Sequence, residues 1–148
     1  MNLEKLTNNA QAAVRDAQSL AAEFHHQELD SVHLLTALLR QSESLTPVIL
    51  KRLEVDTSAL EAELQGDLAG RAKVNGATET YLSSSLRNAF TAAEKEAKQL
   101  QDDYLSTEHL LLGIVAAADE RLGKLLSGKG ISRESIMPAL TELRAGQR

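Results

Sequence analysis

The side chains best suited to chemistry in this chain are two histidines in matching surroundings. His33 stands in Leu29-Asp30-Ser31-Val32-His33-Leu34-Leu35, and His109 in Leu105-Ser106-Thr107-Glu108-His109-Leu110-Leu111, 76 positions further on. A histidine in an apolar run is either a metal ligand or base, or a buried polar anchor that hydrogen-bonds a neighbouring loop. Neither histidine has a second ligand at helical spacing on its own helix, as a His-Glu-x-x-His zinc site has. A reactive histidine seldom recurs once per structural unit, so the repetition favours the anchor. His25-His26 adds no site, because adjacent side chains on a helix diverge and nothing nearby completes a coordination sphere.

Glu28 with Asp30, or Asp102 and Asp103 with Glu108, would offer paired carboxylates for acid–base work. Acidic residues at helix starts more commonly interact with the helix dipole. The chain has no Gly-x-x-x-x-Gly-Lys-Ser/Thr phosphate cradle, no Gly-x-Ser-x-Gly elbow and no cysteine. These residues point away from catalysis and away from a metal or cofactor held by this chain. A net charge of −5 repels phosphate backbones, and 3% aromatic residues with no Trp leave few platforms for bases, sugars or flat cofactors. No apolar run approaches membrane-spanning length. The start, Met1-Asn2-Leu3-Glu4, lacks a signal peptide's basic and apolar regions, so the expected location is cytoplasmic.

A duplicated helical unit must position these residues. Displaced by 76, the chain overlays itself without a gap: Leu6, Ala10, Ala13, Val14, Ala17, Ala21 and Phe24 fall on Leu82, Leu86, Ala89, Phe90, Ala93, Ala97 and Leu100. The first of these sets is one stripe of an amphipathic helix over 7–24, with Thr7 as its N-cap. Asp30-Ser31 caps a short helix over 32–40 so rich in leucine that it must be central. A third helix covers 45–53, with Pro47 near its start. Asp56 or Thr57 caps a fourth, striped by Leu60, Leu64 and Leu68. Glycines and small polar residues over 66–80 end the pattern. The four helices then return near 83–101, 107–118, 121–127 and 132–144, with Pro138 inside the last. Alternating strand patterns are almost absent. The expectation is an all-α single domain over 1–148, eight helices in two tandem four-helix repeats (about 1–70 and 81–148) joined by a linker at about 71–80. Each repeat alone is marginal in size, so the halves should pack together.

Two such bundles side by side leave a groove along their shared boundary, suited to an extended or helical peptide. Thr7, Phe90, Asp102 and Glu108 are the candidates for its walls, Phe90 serving equally well as core between the repeats.

Leu6-Thr7-Asn8-Asn9-Ala10-Gln11 and Ala17-Gln18-Ser19-Leu20-Ala21 closely resemble the amino-terminal domain of ClpB-type disaggregases. Ser31-Val32-His33-Leu34-Leu35 and Ser106-Thr107-Glu108-His109-Leu110-Leu111-Leu112-Gly113 are similar to the paired motifs of Clp amino-terminal domains generally. The resemblance covers nearly the whole chain and implies a pseudo-twofold bundle of eight helices linked to a hexameric ATP-driven unfoldase. It implies a non-catalytic domain that captures unfolded or aggregated polypeptide for threading. ATP and Mg belong to the ring modules, which this chain lacks, so that it looks like a separate or excised domain. A DnaK-type chaperone works beside the parent protein, and some relatives dock adaptor proteins instead. By the same resemblance Thr7 matches a position implicated in substrate handling, Asp102 and Glu108 match acidic positions near it, and Phe90 fits a groove hydrophobe. ClpC-type domains use the Glu of each Thr-Glu-His copy to recognise phosphoarginine; here Val32 stands at the first copy and Glu108 at the second.

Overall fold

The computed structural model describes residues 3–76 and 79–146, so positions 77 and 78 of the expected linker lie outside the described residues, as do 1–2 and 147–148. A short 3-10 turn at Leu3–Lys5 leads into α1 (Asn8–Glu23). Thr7 caps that helix as its sequence position suggests, its hydroxyl accepting the Ala10 amide at 3.2 Å. Next come β1 (Glu28–Leu29), α2 (Ser31–Arg40), α3 (Leu45–Arg52) and α4 (Thr57–Ala69). The second half runs β2 (Tyr81–Leu82), α5 (Ser84–Gln99), α6 (Thr107–Ala116), α7 (Glu120–Gly128) and α8 (Arg133–Ala145), repeating the four helices with its strand ahead of the first. The described residues thus hold eight α-helices, and the all-α class stands.

The repeat extends to single backbone conformations. His25 and Gln101 occupy the left-handed region after α1 and α5, with φ of 58° and 59°. Glu54 and Gly130 do the same after α3 and α7, with φ of 61° and 76°. α2 and α6 are the most enclosed helices: every residue from Ser31 to Leu39, and from Thr107 to Ile114, is buried. Their leucines form the common core with the alanine faces of α1 and α5.

Two expectations shift. α4 continues to Ala69, so Gly66 lies within the helix rather than in the linker. The burial of Leu64 and Leu68 on one side outweighs the weak helix propensity of a glycine. Strand pairing, which no alternating pattern announces, is present in miniature. β1 and β2 pair in parallel, Leu29 opposite Leu82, and an isolated parallel bridge joins Leu6 to Leu105. These two pairings are equivalent under the repeat. In each, the segment leading into one repeat's first helix lies on the other repeat's loop: Ser83 N donates to Leu29 O at 2.9 Å, and Thr7 N to Leu105 O at 3.0 Å. The halves are therefore cross-laced through their backbones as well as packed. Pro138 sits inside α8 on its exposed side, where the Glu134 carbonyl that it leaves without a helical partner also belongs to an exposed residue.

Candidate functional site

Both repeats use histidine as a tie. Asp30 is the N-cap of α2, and its backbone amide donates to His33 Nδ1 at 3.0 Å; the Ser106 amide donates in the same way to His109 Nδ1 at 2.9 Å. A backbone N–H only donates, so Nδ1 accepts and the ring proton sits on Nε2. That Nε2–H then reaches back to the loop after the first helix of its own repeat. His33 meets His26 Nδ1 at 2.9 Å, and His109 meets Asp102 Oδ2 at 2.7 Å. His26 and Asp102 are themselves equivalent positions, so one device appears twice with different partners. Burial, then the neighbouring His26 and Arg71, push His33 down to about 4, and burial and Arg71 lower His26 as well. Both histidines are thus held neutral within repeat 1.

Ser106 Oγ also lies 3.0 Å from His109 Nδ1, so that Asp102, His109 and Ser106 line up in the order of a hydrolytic triad. The same Nδ1 already takes the Ser106 amide, and His109 is 1% exposed. The alignment is a helix cap. Among the described residues no three His, Cys, Asp or Glu side chains converge as metal ligands would.

Asp102 and Glu108 come together through a residue that sequence reasoning missed. Arg144, in the last turn of α8, donates to Asp102 at 2.7 Å and 3.3 Å and to Glu108 at 3.2 Å. Burial alone would raise the Asp102 carboxyl, but the hydrogen bonds from Arg144 and His109 outweigh it and hold the group below the usual range. Its hydrogen bond with Asp102 raises Arg144 in turn. The cluster is a compact, largely compensated ion network with one negative charge in excess, which disfavours a phosphate ligand.

Beside this cluster, at the seam between the repeats, lies an open cleft of about 390 Å³. Its floor is apolar (Leu6 from the first repeat, Ala97 and Leu105 from the second), and Lys5, Asp102 and Tyr104 stand on its walls. Tyr104 is 60% exposed, an aromatic ring left in solvent beside apolar surface. Of the four residues expected to line a groove, Asp102 does so. Thr7 adjoins it, its amide hydrogen-bonded to Leu105 directly after Leu6. Glu108 lies behind Asp102 and is linked to it through Arg144. Phe90 is not on the cleft: it is 7% exposed and packs in the core with Leu86, Ala89 and Ala93. The helical stripe that marks it as apolar is the stripe α5 turns inward. Tyr104 had one signal available, as one of only two tyrosines in the chain, standing where the helical pattern breaks. Arg144 had none.

The family match places this fold among chaperone-associated amino-terminal modules. Residues 5–129 match the family of the Clp repeat N-terminal domain, and the chain belongs to that family. It is 35% identical over 152 residues to the chaperone protein ClpB of Bacillus cereus and 36% identical over 151 residues to that of Vibrio vulnificus. In each case the whole chain is covered, and it spans only 17% of the relative's length. The Hsp104 N-terminal domain from Candida albicans superimposes with a TM-score of 0.82 at 24% identity, covering 97% of this chain and 94% of that one. The ClpV N-domain, solved as a complex with VipB peptide, gives 0.69 at 20% identity over 86% and 80% of the two chains. At such identities these two likenesses speak for the fold.

Proposed function

We propose that this domain is a non-catalytic capture module of a ClpB-type, ATP-dependent disaggregase, taking unfolded or aggregated polypeptide and presenting it to a hexameric ATPase for threading. The observation that carries the reading is the seam cleft. It joins an apolar floor, an exposed tyrosine and the compensated Asp102–Arg144–Glu108 cluster, beside Thr7, the position that the family resemblance connects with substrate handling. A peptide bound to the related ClpV N-domain supports it by analogy. A shallow cleft buries little area, so single-site binding is weak, and six copies on a ring raise the effective affinity. Weakness also permits release into the pore. ATP and Mg act in the ring modules, a DnaK-type chaperone cooperates with the parent protein, and the setting is the cytoplasm.

Titration of the labelled domain with unfolded casein tests this reading. Amide shifts should gather at Leu6, Asp102, Tyr104 and Leu105, and a titration that leaves those signals still defeats it. Adaptor docking is the second reading, supported by the further acids Glu94 and Asp103 at the cleft. It requires a salt-sensitive one-to-one complex and no response to casein. Phosphoarginine recognition is disfavoured, because Arg144 already engages Glu108 and Val32 replaces the second carboxylate.

A further inference from the structure

Between α4 and β2 the chain runs Arg71-Ala72-Lys73-Val74-Asn75-Gly76, and Asn75-Gly76 is the one Asn-Gly pair in the sequence. Val74 is fixed, its amide donating to the His25 carbonyl at 2.8 Å, and Arg71 binds Asp30 at 3.1 Å and Asp67 at 2.7 Å. The two residues beyond that anchor are exposed and lie outside helix and strand. Gly76 has a φ of 95°, a conformation that a side chain would oppose, and nothing stands within 4 Å of the point a Cβ would occupy. Among the described residues its amide donates to no backbone carbonyl. The other asparagines differ on both counts. Asn8, Asn9 and Asn88 lie in α1 and α5, where the helix fixes the backbone. Those three and Asn2 are each followed by a residue that bears a side chain.

We propose that Asn75-Gly76 is a self-modification site, at which the folded domain converts asparagine to aspartate and isoaspartate without an enzyme. The Gly76 nitrogen gives its proton to solvent and attacks Asn75 Cγ. The side-chain nitrogen leaves as ammonia, and a five-membered succinimide closes. Water then opens the ring at one of its two carbonyls. Cleavage between Cγ and the Gly76 nitrogen restores the ordinary peptide and leaves an aspartate. Cleavage between the main-chain carbonyl carbon and that nitrogen leaves a peptide routed through Cβ, which is isoaspartate. No electrons are exchanged, and water is the only co-reactant. A helix opposes this chemistry by fixing the backbone, and a side chain on the following residue obstructs the attacking nitrogen. Neither obstacle is present at Gly76. Each event removes a neutral amide and adds a carboxylate, taking the net charge one unit below −5. The isoaspartyl product also lengthens the main chain one residue after the Val74 anchor. Such a residue in an exposed, irregular segment suits a carboxyl methyltransferase that uses S-adenosylmethionine. The site owes nothing to the polypeptide-capture reading, and the fraction converted records the age of the chain.

The test incubates the intact domain at pH 8 and 37 °C beside a synthetic peptide of residues 72–80 with blocked ends, and follows both by tryptic mapping and mass spectrometry. The tryptic peptide 74–87 should gain about one mass unit, the difference between an amide and an acid, and divide into two chromatographic species. One of the two should accept a methyl group from S-adenosylmethionine when an isoaspartyl methyltransferase is added. The folded domain and the free peptide should convert at rates within about threefold, as for a segment that the fold leaves unprotected. Gly76→Ala places a methyl group beside the attacking nitrogen and should slow conversion about tenfold, the effect of one moderate rise in the barrier. Asn75→Gln, which would have to close a six-membered ring, should abolish it. Because both residues are exposed, both variants should retain the parent's helical circular dichroism. A domain that stays unmodified while the free peptide converts would overturn the proposal, as would equal rates for Gly76→Ala and the parent, or modification centred on Asn8, Asn9 or Asn88.

Discussion

At the scale of single residues, the two histidines show how one motif is put to two electrostatic uses. Each accepts the N-cap amide of its helix and donates to the loop that precedes it, but His33 donates to a second histidine and His109 to a carboxylate. The His33 arrangement carries a pH signature. Above its ordinary value of 6.5 both folded and unfolded chains hold this imidazole neutral, and its full stabilisation is present. As pH falls toward about 4 the unfolded chain takes up a proton that the folded chain refuses, so stability is lost across that window. The lowered His26 acts in the same direction. Urea melts at pH 7 and pH 4.5 should differ by roughly 2–3 kcal/mol. His33→Asn, whose amide oxygen can still accept the Asp30 amide, should be less stable at pH 7 yet show a flatter dependence.

Arg144→Ala leaves the buried Glu108 carboxylate without its cation and should cost about 1–3 kcal/mol, read from the urea midpoint. Tyr104→Ala removes an exposed ring and should leave the midpoint within about 0.5 kcal/mol while weakening casein binding. The cap at Thr7 was legible, and that of α4 was narrowed to Asp56 or Thr57, of which Asp56 accepts the Ala59 amide at 3.1 Å, because an N-cap is a local event within four residues. The Arg144 cluster was not, since its partners lie 42 and 36 residues away.

At the scale of elements, the two repeats differ where their paired helices cross. A Cβ at Gly113 of α6 would stand 2.1 Å from the Ala89 carbonyl oxygen and 3.0 Å from the Ala93 Cβ on α5. The first repeat carries Ala37 at this position, so its α1 and α2 leave room for a methyl group. Gly113→Ala should therefore destabilise by about 2–3 kcal/mol although alanine is the better helix former. Gly66→Ala should act oppositely: nothing lies within 4 Å of the added Cβ in the last turn of α4, and a gain of about 0.5–1 kcal/mol is expected. Calorimetric midpoints of the two variants moving in the same direction would refute this account of the helix crossings. Periodicity had already placed the helices, because a stripe facing one core must recur every three or four residues. It misplaced Gly66, where burial of neighbouring leucines overrode a local preference, and it was silent on β1 and β2, whose two-residue length shows no alternation.

At the scale of the whole molecule, the exchanged strands make the duplication interdependent. Each repeat's leading segment finds its backbone partners on the other repeat, at Leu29 with Ser83 and at Leu105 with Thr7. Ion pairs between Arg52 and Glu142 and between Lys129 and Glu63 cross the same boundary on the surface. Fragments 1–76 and 77–148 should each fail to give a cooperative thermal transition by circular dichroism, and an equimolar mixture should recover it. A fragment that melts cooperatively alone would contradict the cross-lacing.

From the sequence alone followed the duplication, the all-α class, the central leucine helices, the anchoring role of the paired histidines and the family resemblance. All of these reside in residue types at short spacing, or in one spacing repeated. Only the tertiary structure decided that Phe90 faces inward, that Arg144 joins Asp102 to Glu108, and that Leu6, Ala97, Tyr104 and Leu105 meet around an open cleft. Those facts depend on which surfaces meet when two similar bundles pack. Residues far apart in the chain share no local signal, and the contacts that join them exist only once the helices have packed.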